Sequence, residues 1–286
     1  MLTSAYMRLS HPFTFLLLAS APLFAETLKI NGSTTVNLPV AEAAEILRAE
    51  QKLSIQVDTQ GGSSGGISML GDGLVQMGMI SKHVSDDDRA KYPQVKFNEI
   101  HIGEDAVALI VSKDVWDNGV HTLTKAQAKD IYEGKVTNWN QVGGAKSQRI
   151  AFFNKEPGRG TWEVFVHWVY GSPKAAPQVS FPEVGGNEET RNKVSSTRGA
   201  LSQLSSSWAD GKKVFALALV GDDGKPVEPK EENIATRKYP MSRPLFVITN
   251  GEPTGEGKTM VDFMLSERGQ KLVEKHGYLP LKALKQ

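Results

Sequence analysis

Three short stretches combine glycines and hydroxyls, the third with two cations, in a pattern suited to holding a small anion. They are Asn31-Gly32-Ser33-Thr34-Thr35, Gln60-Gly61-Gly62-Ser63-Ser64-Gly65-Gly66-Ile67, and Asn154-Lys155-Glu156-Pro157-Gly158-Arg159-Gly160-Thr161. Small residues let a ligand approach the backbone, while hydroxyls and unpaired N–H groups donate to it. Where such a stretch opens a helix, the first-turn amides and the helix dipole favour negative charge. Arg159 adds a planar fork of donors that suits a tetrahedral oxyanion. Ordinary capping by Ser or Thr accounts for any one of these hydroxyls. Their repetition at three junctions points to a ligand.

Each stretch lies between an extended run and a helical one. Leu28-Lys29-Ile30 alternates as a strand, and a helical pattern runs from Leu38 to Ala49, with Pro39 suited to its first turn. Leu53 to Asp58 reads as the second strand, and an apolar-periodic helix begins at Ile67. Ile150-Ala151-Phe152-Phe153 precedes the third stretch, and the aromatic run Trp162 to Val169 follows it. Between them, Val75 to Ile80 reads as a strand ending in Ser81-Lys82-His83. Phe97 to Val111 reads as a long strand whose apolar second half is expected to be buried on both faces. A second strong strand, Pro244 to Thr249, and the long one are candidate crossings between two domains. Residues 227–236 read as a polar surface loop.

Other chemistries fit less well. Gly61-x-Ser63-x-Gly65 matches the serine-hydrolase elbow, but His101, His121, His167 and His276 have no recognisable triad context. Ser85-Asp86-Asp87-Asp88 lacks the glycine and distal glutamate of a calcium loop and reads as a helix cap. Gly255-Glu256-Gly257-Lys258-Thr259 resembles the end of a P-loop, but Glu252 stands where its first glycine belongs. Neither a cofactor nor a metal is expected.

At 286 residues, 40% hydrophobic and 23% charged, the chain has the size and composition for one large core or two ordinary ones. It has no cysteine, which excludes disulfides, thiolate metal sites and a lipid-modified cysteine. Residues 1–25 read as a secretory leader: Arg8, then the apolar run Phe13 to Ala19, then a cleavage region ending at Ala25. A free periplasmic protein is the expectation. Because Arg8 lies in the leader, the mature chain would hold 32 residues of each sign. That argues against nucleic acid as a partner, and an anion would have to be held by local dipoles.

The same residues carry a resemblance. Asn31 to Val36, Gly61 to Ile67, Gly78-Met79-Ile80-Ser81 and Glu156 to Thr161 occur in the order seen in periplasmic phosphate-binding proteins, the substrate-binding subunits of the phosphate ABC importer. Asn187, Gly199-Ala200 and the C-terminal Gly269 to Pro280 also fit, so the resemblance spans nearly the whole mature chain. It implies an α/β, two-lobed periplasmic-binding fold of type II, with mixed sheets, flanking helices and two hinge crossings. It places lobe 1 at residues 26–112 plus 243–286 and lobe 2 at 113–242. Phosphate would sit dehydrated between them. The first lobe would offer Ser33, Thr34, Thr35, Val36, Ser63, Ser64, Gly65, Ser81 and Lys82. The second would offer Lys155, Gly158, Arg159, Gly160 and Thr161.

The pattern departs from the family at three points. The carboxylate that larger members place after the third strand is missing from Ser81-Lys82-His83, where Lys82 could act as a substitute cation. Arg159 replaces the usual serine of the second-lobe loop, and Lys155 stands where its arginine would be. Gly199-Ala200-Leu201-Ser202-Gln203 replaces the usual Gly-Ala-Ile-Gly-Tyr. The expected protein is a monomeric, non-enzymatic binder of phosphate or a similar oxyanion that serves a membrane permease. The alternatives are a binder or sensor of another oxyanion or small organic anion, and, further off, a secreted phosphoester hydrolase.

Overall fold

The computed structural model describes residues 27–221 and 223–284, so the leader read at 1–25 lies outside the described residues. In chain order, β1 (Leu28–Gly32) leads into α1 (Thr34–Gln51), β2 (Ile55–Asp58) into α2 (Gly62–Gly71), and β3 (Met77–Ile80) into α3 (Asp86–Lys91). The long β4 (Phe97–Ser112) is followed by α4 (Lys113–Asp117), β5 (Thr122–Thr124), α5 (Lys125–Tyr132), β6 (Ala151–Lys155) and α6 (Gly160–Tyr170). Then come β7 (Glu183–Val184), α7 (Asn187–Ser196), β8 (Ala200–Ser205), β9 (Val214–Ala216), β10 (Ala218–Val220) and β11 (Pro226–Val227). The chain closes with α8 (Glu231–Ala235), β12 (Ser242–Asn250), α9 (Gly255–Leu265) and α10 (Glu267–Lys275).

The main sheet runs β2-β1-β3-β12-β4-β8-β6-β7, with β9 also on β4. Parallel pairs at either side (β1 with β2 and β3; β6 with β7 and β8) flank an antiparallel centre. β4 spans that centre by changing partner. Phe97 to Ala106 pair with β12, and Val107 to Val111 pair with β8. A core forms on each side of the change. Leu28, Ile30, Val36, Leu47, Met77, Leu245 and Val247 pack into one. Val107, Leu109, Leu123, Trp139, Phe165, Leu201, Tyr239 and Met241 pack into another. The chain passes from the second of these cores back to the first between Met241 and Leu245.

Three local readings are corrected. First, α1 starts four residues before Leu38, because the Ser33 hydroxyl accepts the Thr35 N–H and caps it early. Pro39 is thus inside the helix, where its lack of an N–H leaves one rung of the ladder unmade. Second, Gly62 to Gly66 are the first turns of α2, with Gly61 as a left-handed N-cap (φ 73°). Third, residues 231–235 form a short helix, because Ile234 and Ala235 bury against the second core.

Gly32 shows why glycine is needed here. Its φ is +143°, and a Cβ would lie 2.1 Å from the Met79 carbonyl oxygen. That approach lets the Ser33 N–H donate to the same carbonyl at 2.8 Å and brings the ends of β1 and β3 together. Gly32→Ala is expected to lower stability by at least about 1–3 kcal/mol, read by urea unfolding. A change within experimental error would contradict this packing argument.

Candidate functional site

Four helix starts meet between the two cores. A small cavity there is lined by Ser33, Thr34 and Thr35 at α1, Gly62 and Ser63 at α2, and Ser81 just after β3. Lys155, Arg159, Gly160 and Thr161 at α6 and Asn187 at α7 complete it. The first ladder bonds close at Asn37 N–H onto Ser33, Gly65 onto Gly61, Glu163 onto Arg159, and Thr190 onto Gly186. The amides ahead of each are outside the helical ladder; apart from Thr35 on Ser33 Oγ, Gly62 on Thr59 and Ser64 on Gly158, they can face an anion. Such backbone donors concentrate positive potential in a chain whose net charge is near zero.

The hydroxyls form one network. Ser33 Oγ donates to Ser81 Oγ at 3.1 Å, and the Ser81 N–H donates to Ser63 Oγ at 3.1 Å. Gly160 fits tightly against them: a Cβ there would lie 2.6 Å from Ser81 Oγ and 2.8 Å from Ser63 Oγ. Facing elements also touch directly, with the Ser64 N–H donating to the Gly158 carbonyl at 3.1 Å.

Beneath the network lies a residue that the sequence reading did not select. Arg243, at the start of β12, is 1% exposed. Nε and Nη2 donate to Asp105 Oδ2 at 3.0 and 2.7 Å. Nη1 donates to Ser81 Oγ at 3.3 Å and Thr161 Oγ1 at 3.0 Å, and Nη2 donates to Thr35 Oγ1 at 3.2 Å. These bonds employ the full guanidinium donor set. Each of those hydroxyl oxygens already accepts a bond, so its own proton can point onward into the cavity. Asp105 Oδ1 accepts from Ser205 at 2.9 Å. Burial pushes the Asp105 carboxyl up from the usual range, opposed by Arg243 and Ser205. The signal for this pair was an Asp and an Arg set into two strands with apolar neighbours, but no local motif joins residues 138 apart in sequence.

Of the residues selected from sequence, Ser33, Thr34, Thr35, Ser63, Ser81, Lys155, Arg159, Gly160 and Thr161 are brought together at the cavity. Five are placed elsewhere. The Lys82 ammonium pairs with Glu163 at 2.7 Å and reaches Asp88 at 3.5 Å, so its charge is engaged away from the lining. The Val36 side chain is in the first core, and only its N–H, in the first turn of α1, could face the cavity. Gly65 is inside α2, its N–H already on Gly61, and Ser64 and Gly158 meet each other. Asn187, noted for its fit but given no role, is in the lining and donates Nδ2 to Thr35 Oγ1 at 3.0 Å. Among the described residues, no histidine lines the cavity and no group of acids and histidines could hold a metal. No histidine therefore stands beside Ser63 as the triad of the hydrolase elbow requires.

Known proteins resemble this chain over most of its length. The model of a PBP superfamily domain matches residues 20–268. A phosphate-binding protein PstS from Bacillus subtilis (strain 168) is 31% identical over 261 residues, covering 91% of this chain and 82% of its relative. The chain belongs to the phosphate-binding protein family. A Clostridium perfringens structure described as a phosphate ABC transporter substrate-binding protein with bound phosphate superposes with a TM-score of 0.78. It is 31% identical and covers 90% of this chain and 100% of that one. An ABC-type phosphate transport receptor from Vibrio cholerae gives a TM-score of 0.70 at 27% identity, covering 88% and 99%. The fold is the two-lobed periplasmic-binding fold, and β4 and β12 are its central strands.

The cavity carries a deeply buried cation. Lys155 is 1% exposed; Nζ donates to the Gly186 carbonyl at 3.1 Å and to Thr190 Oγ1. Burial, with Arg159 and Arg243 nearby, pushes its ammonium down to about 7, against the pull of Glu189 and Glu156. The unfolded chain keeps this proton up to the ordinary lysine value of 10.5, whereas the folded chain releases it near 7. Between those values the unfolded state holds more protons, so this group makes stability rise with pH, by up to about 1.4 kcal/mol per unit. Urea unfolding of ligand-free protein should therefore show stability rising from neutral to alkaline pH, with Lys155→Met removing most of that slope. An equal slope in the variant would contradict the assignment.

Proposed function

We propose that this chain is an exported binding protein that captures inorganic phosphate between its lobes and delivers it to an ABC importer. The observation that carries the reading is the buried Arg243, held by Asp105 and donating to the hydroxyls of Thr35, Ser81 and Thr161 at the meeting of four helix starts. Phosphate entering the cavity loses its water shell, and these hydroxyls and amides, with Lys155 and Arg159, would replace it. Its ligands come from both halves of the molecule, so binding favours the closed arrangement. The closed form would then be the one a membrane permease recognises. The names and bound phosphate of the relatives support the same direction.

The finer parts of the reading are ours. Lobe 1 comprises residues 26–112 plus 243–286 and lobe 2 residues 113–242, consistent with the partner change in β4 at Ala106 and Val107. The site residues are Ser33, Thr34, Thr35, Ser63, Ser81, Lys155, Arg159, Gly160 and Thr161, together with Asn187 and, beneath them, Arg243. The protein acts as a monomer, without catalysis, in the periplasm after removal of its leader. Among the described residues no helix is long and apolar enough to cross a membrane.

Calorimetric titration with phosphate, after stripping bound ligand by reversible unfolding, tests the reading. Tight binding is expected from the wild type. Thr161→Val, which deletes one hydroxyl donor, should weaken it by about 10–100-fold, the range for a hydrogen bond to a charged group. Arg243→Lys keeps the charge but loses the fork, and should weaken it by at least about tenfold. A folded, stripped wild type that ignores phosphate would overturn the reading.

A further inference from the structure

The cavity contains an acceptor with nothing to accept. Asn187 is 2% exposed and lines the cavity, and its Oδ1 is buried without a hydrogen-bond partner. Its Nδ2 is committed to Thr35 Oγ1 at 3.0 Å, which fixes the amide and leaves Oδ1 open. A buried unpaired acceptor costs stability unless a ligand satisfies it.

The other lining groups are donors toward a ligand. Thr35 Oγ1 accepts from both Arg243 and Asn187, Thr161 Oγ1 from Arg243, and Ser81 Oγ from Ser33 and Arg243. Ser33 Oγ accepts the Thr35 N–H, and Ser63 Oγ accepts the Ser81 N–H. The Ser33 proton is spent on Ser81, while those of Thr35, Ser81, Thr161 and Ser63 can point inward. Arg159 brings a positive charge, with Nε and Nη2 donating to Glu156, and Lys155 Nζ already donates to Gly186 and Thr190. Both Asp105 oxygens are engaged with Arg243 and Ser205. A ring of donors holding one unpaired side-chain acceptor matches an anion that is mostly acceptor but carries one O–H. Monohydrogen phosphate has that pattern. Sulfate has the same shape and charge but no proton, so cations and helix dipoles cannot separate the two; only the hydrogen-bond pattern can.

We propose that Asn187 Oδ1 accepts the remaining proton of monohydrogen phosphate, and that this contact makes the site prefer phosphate to sulfate. The inference rests on the phosphate reading above and assigns its selectivity to one atom. Sulfate in the same position would set an oxygen against Oδ1, acceptor against acceptor. The amide thus takes, from the facing side of the cavity, the place of the carboxylate that Ser81-Lys82-His83 lacks.

The test is paired calorimetric titration with phosphate and sulfate at mildly alkaline pH, on wild type, Asn187→Ala and Asn187→Asp, each checked for folding by circular dichroism. Wild type should bind sulfate at least about 100-fold more weakly than phosphate, since sites built around a ligand hydroxyl reject analogues lacking it strongly. Asn187→Ala should shrink that ratio at least about tenfold, chiefly by weakening phosphate. Asn187→Asp keeps an acceptor and should keep the ratio, even if its charge weakens both dianions. Equal weakening of both anions by Asn187→Ala would mean that the amide only steadies Thr35 or donates to the ligand, and would overturn the proposal. Loss of the ratio in Asn187→Asp would also overturn it. A wild type that binds neither anion would remove the phosphate reading itself, an outcome distinct from phosphate binding that is indifferent to position 187.

Discussion

The site depends on one buried ion pair. Arg243 and Asp105 are each about as buried as any core residue, with Nη2 and Oδ2 at 2.7 Å. Such a pair is weak evidence for stability, because desolvating two charges offsets most of their attraction. Its value here is directional. With two of its bonds held by Asp105, the guanidinium can aim the others only at Thr35, Ser81 and Thr161, which belong to three different elements. Those hydroxyls become acceptors toward the protein and donors toward the cavity. Hydrogen bonds in such chains polarise one another, so the buried charge is felt at the ligand without touching it.

The pair also lies where the architecture changes. Asp105 is one residue before the last rung that β4 makes with β12, and its register partner there is Arg243 itself. Immediately beyond, β4 turns to β8, whose Ser205 completes the Asp105 shell. The charge centre of the site and the crossing between lobes are therefore one construction. Interlobe contacts at Ser64–Gly158, Lys82–Glu163 and Thr35–Asn187 surround it. On the proposed function, a ligand bound at the hydroxyls would be coupled to closure by these shared atoms.

Much of this was legible in the sequence, and the limits have physical causes. Strand, hydroxyl-rich turn and helix recur locally, so the junctions at Ser33, Gly61 and Gly160 could be read directly. The helix starts were read late at Leu38 and Ile67 because apolar periodicity begins only where a helix meets the core, whereas capping begins it a turn earlier. Lys82 read as a ligand because charge type is visible in sequence but partners are not, and Glu163 is far along the chain. Arg243 and Asp105 were missed for the converse reason: each looks like an isolated charge until the fold pairs them. Asn187 carried a resemblance but no role, since only the fold shows that one end of its amide is tied and the other open.

The most direct measurement is a crystal structure of the mature chain grown with phosphate. The account predicts one anion in the cavity between the lobes, with hydroxyls of Thr35, Ser81 and Thr161 at charge-assisted hydrogen-bond distance, about 2.5–2.7 Å, and Arg243 still paired to Asp105 beneath them. Phosphate bound elsewhere on the molecule, or Arg243 detached from Asp105 to hold the anion itself, would contradict it.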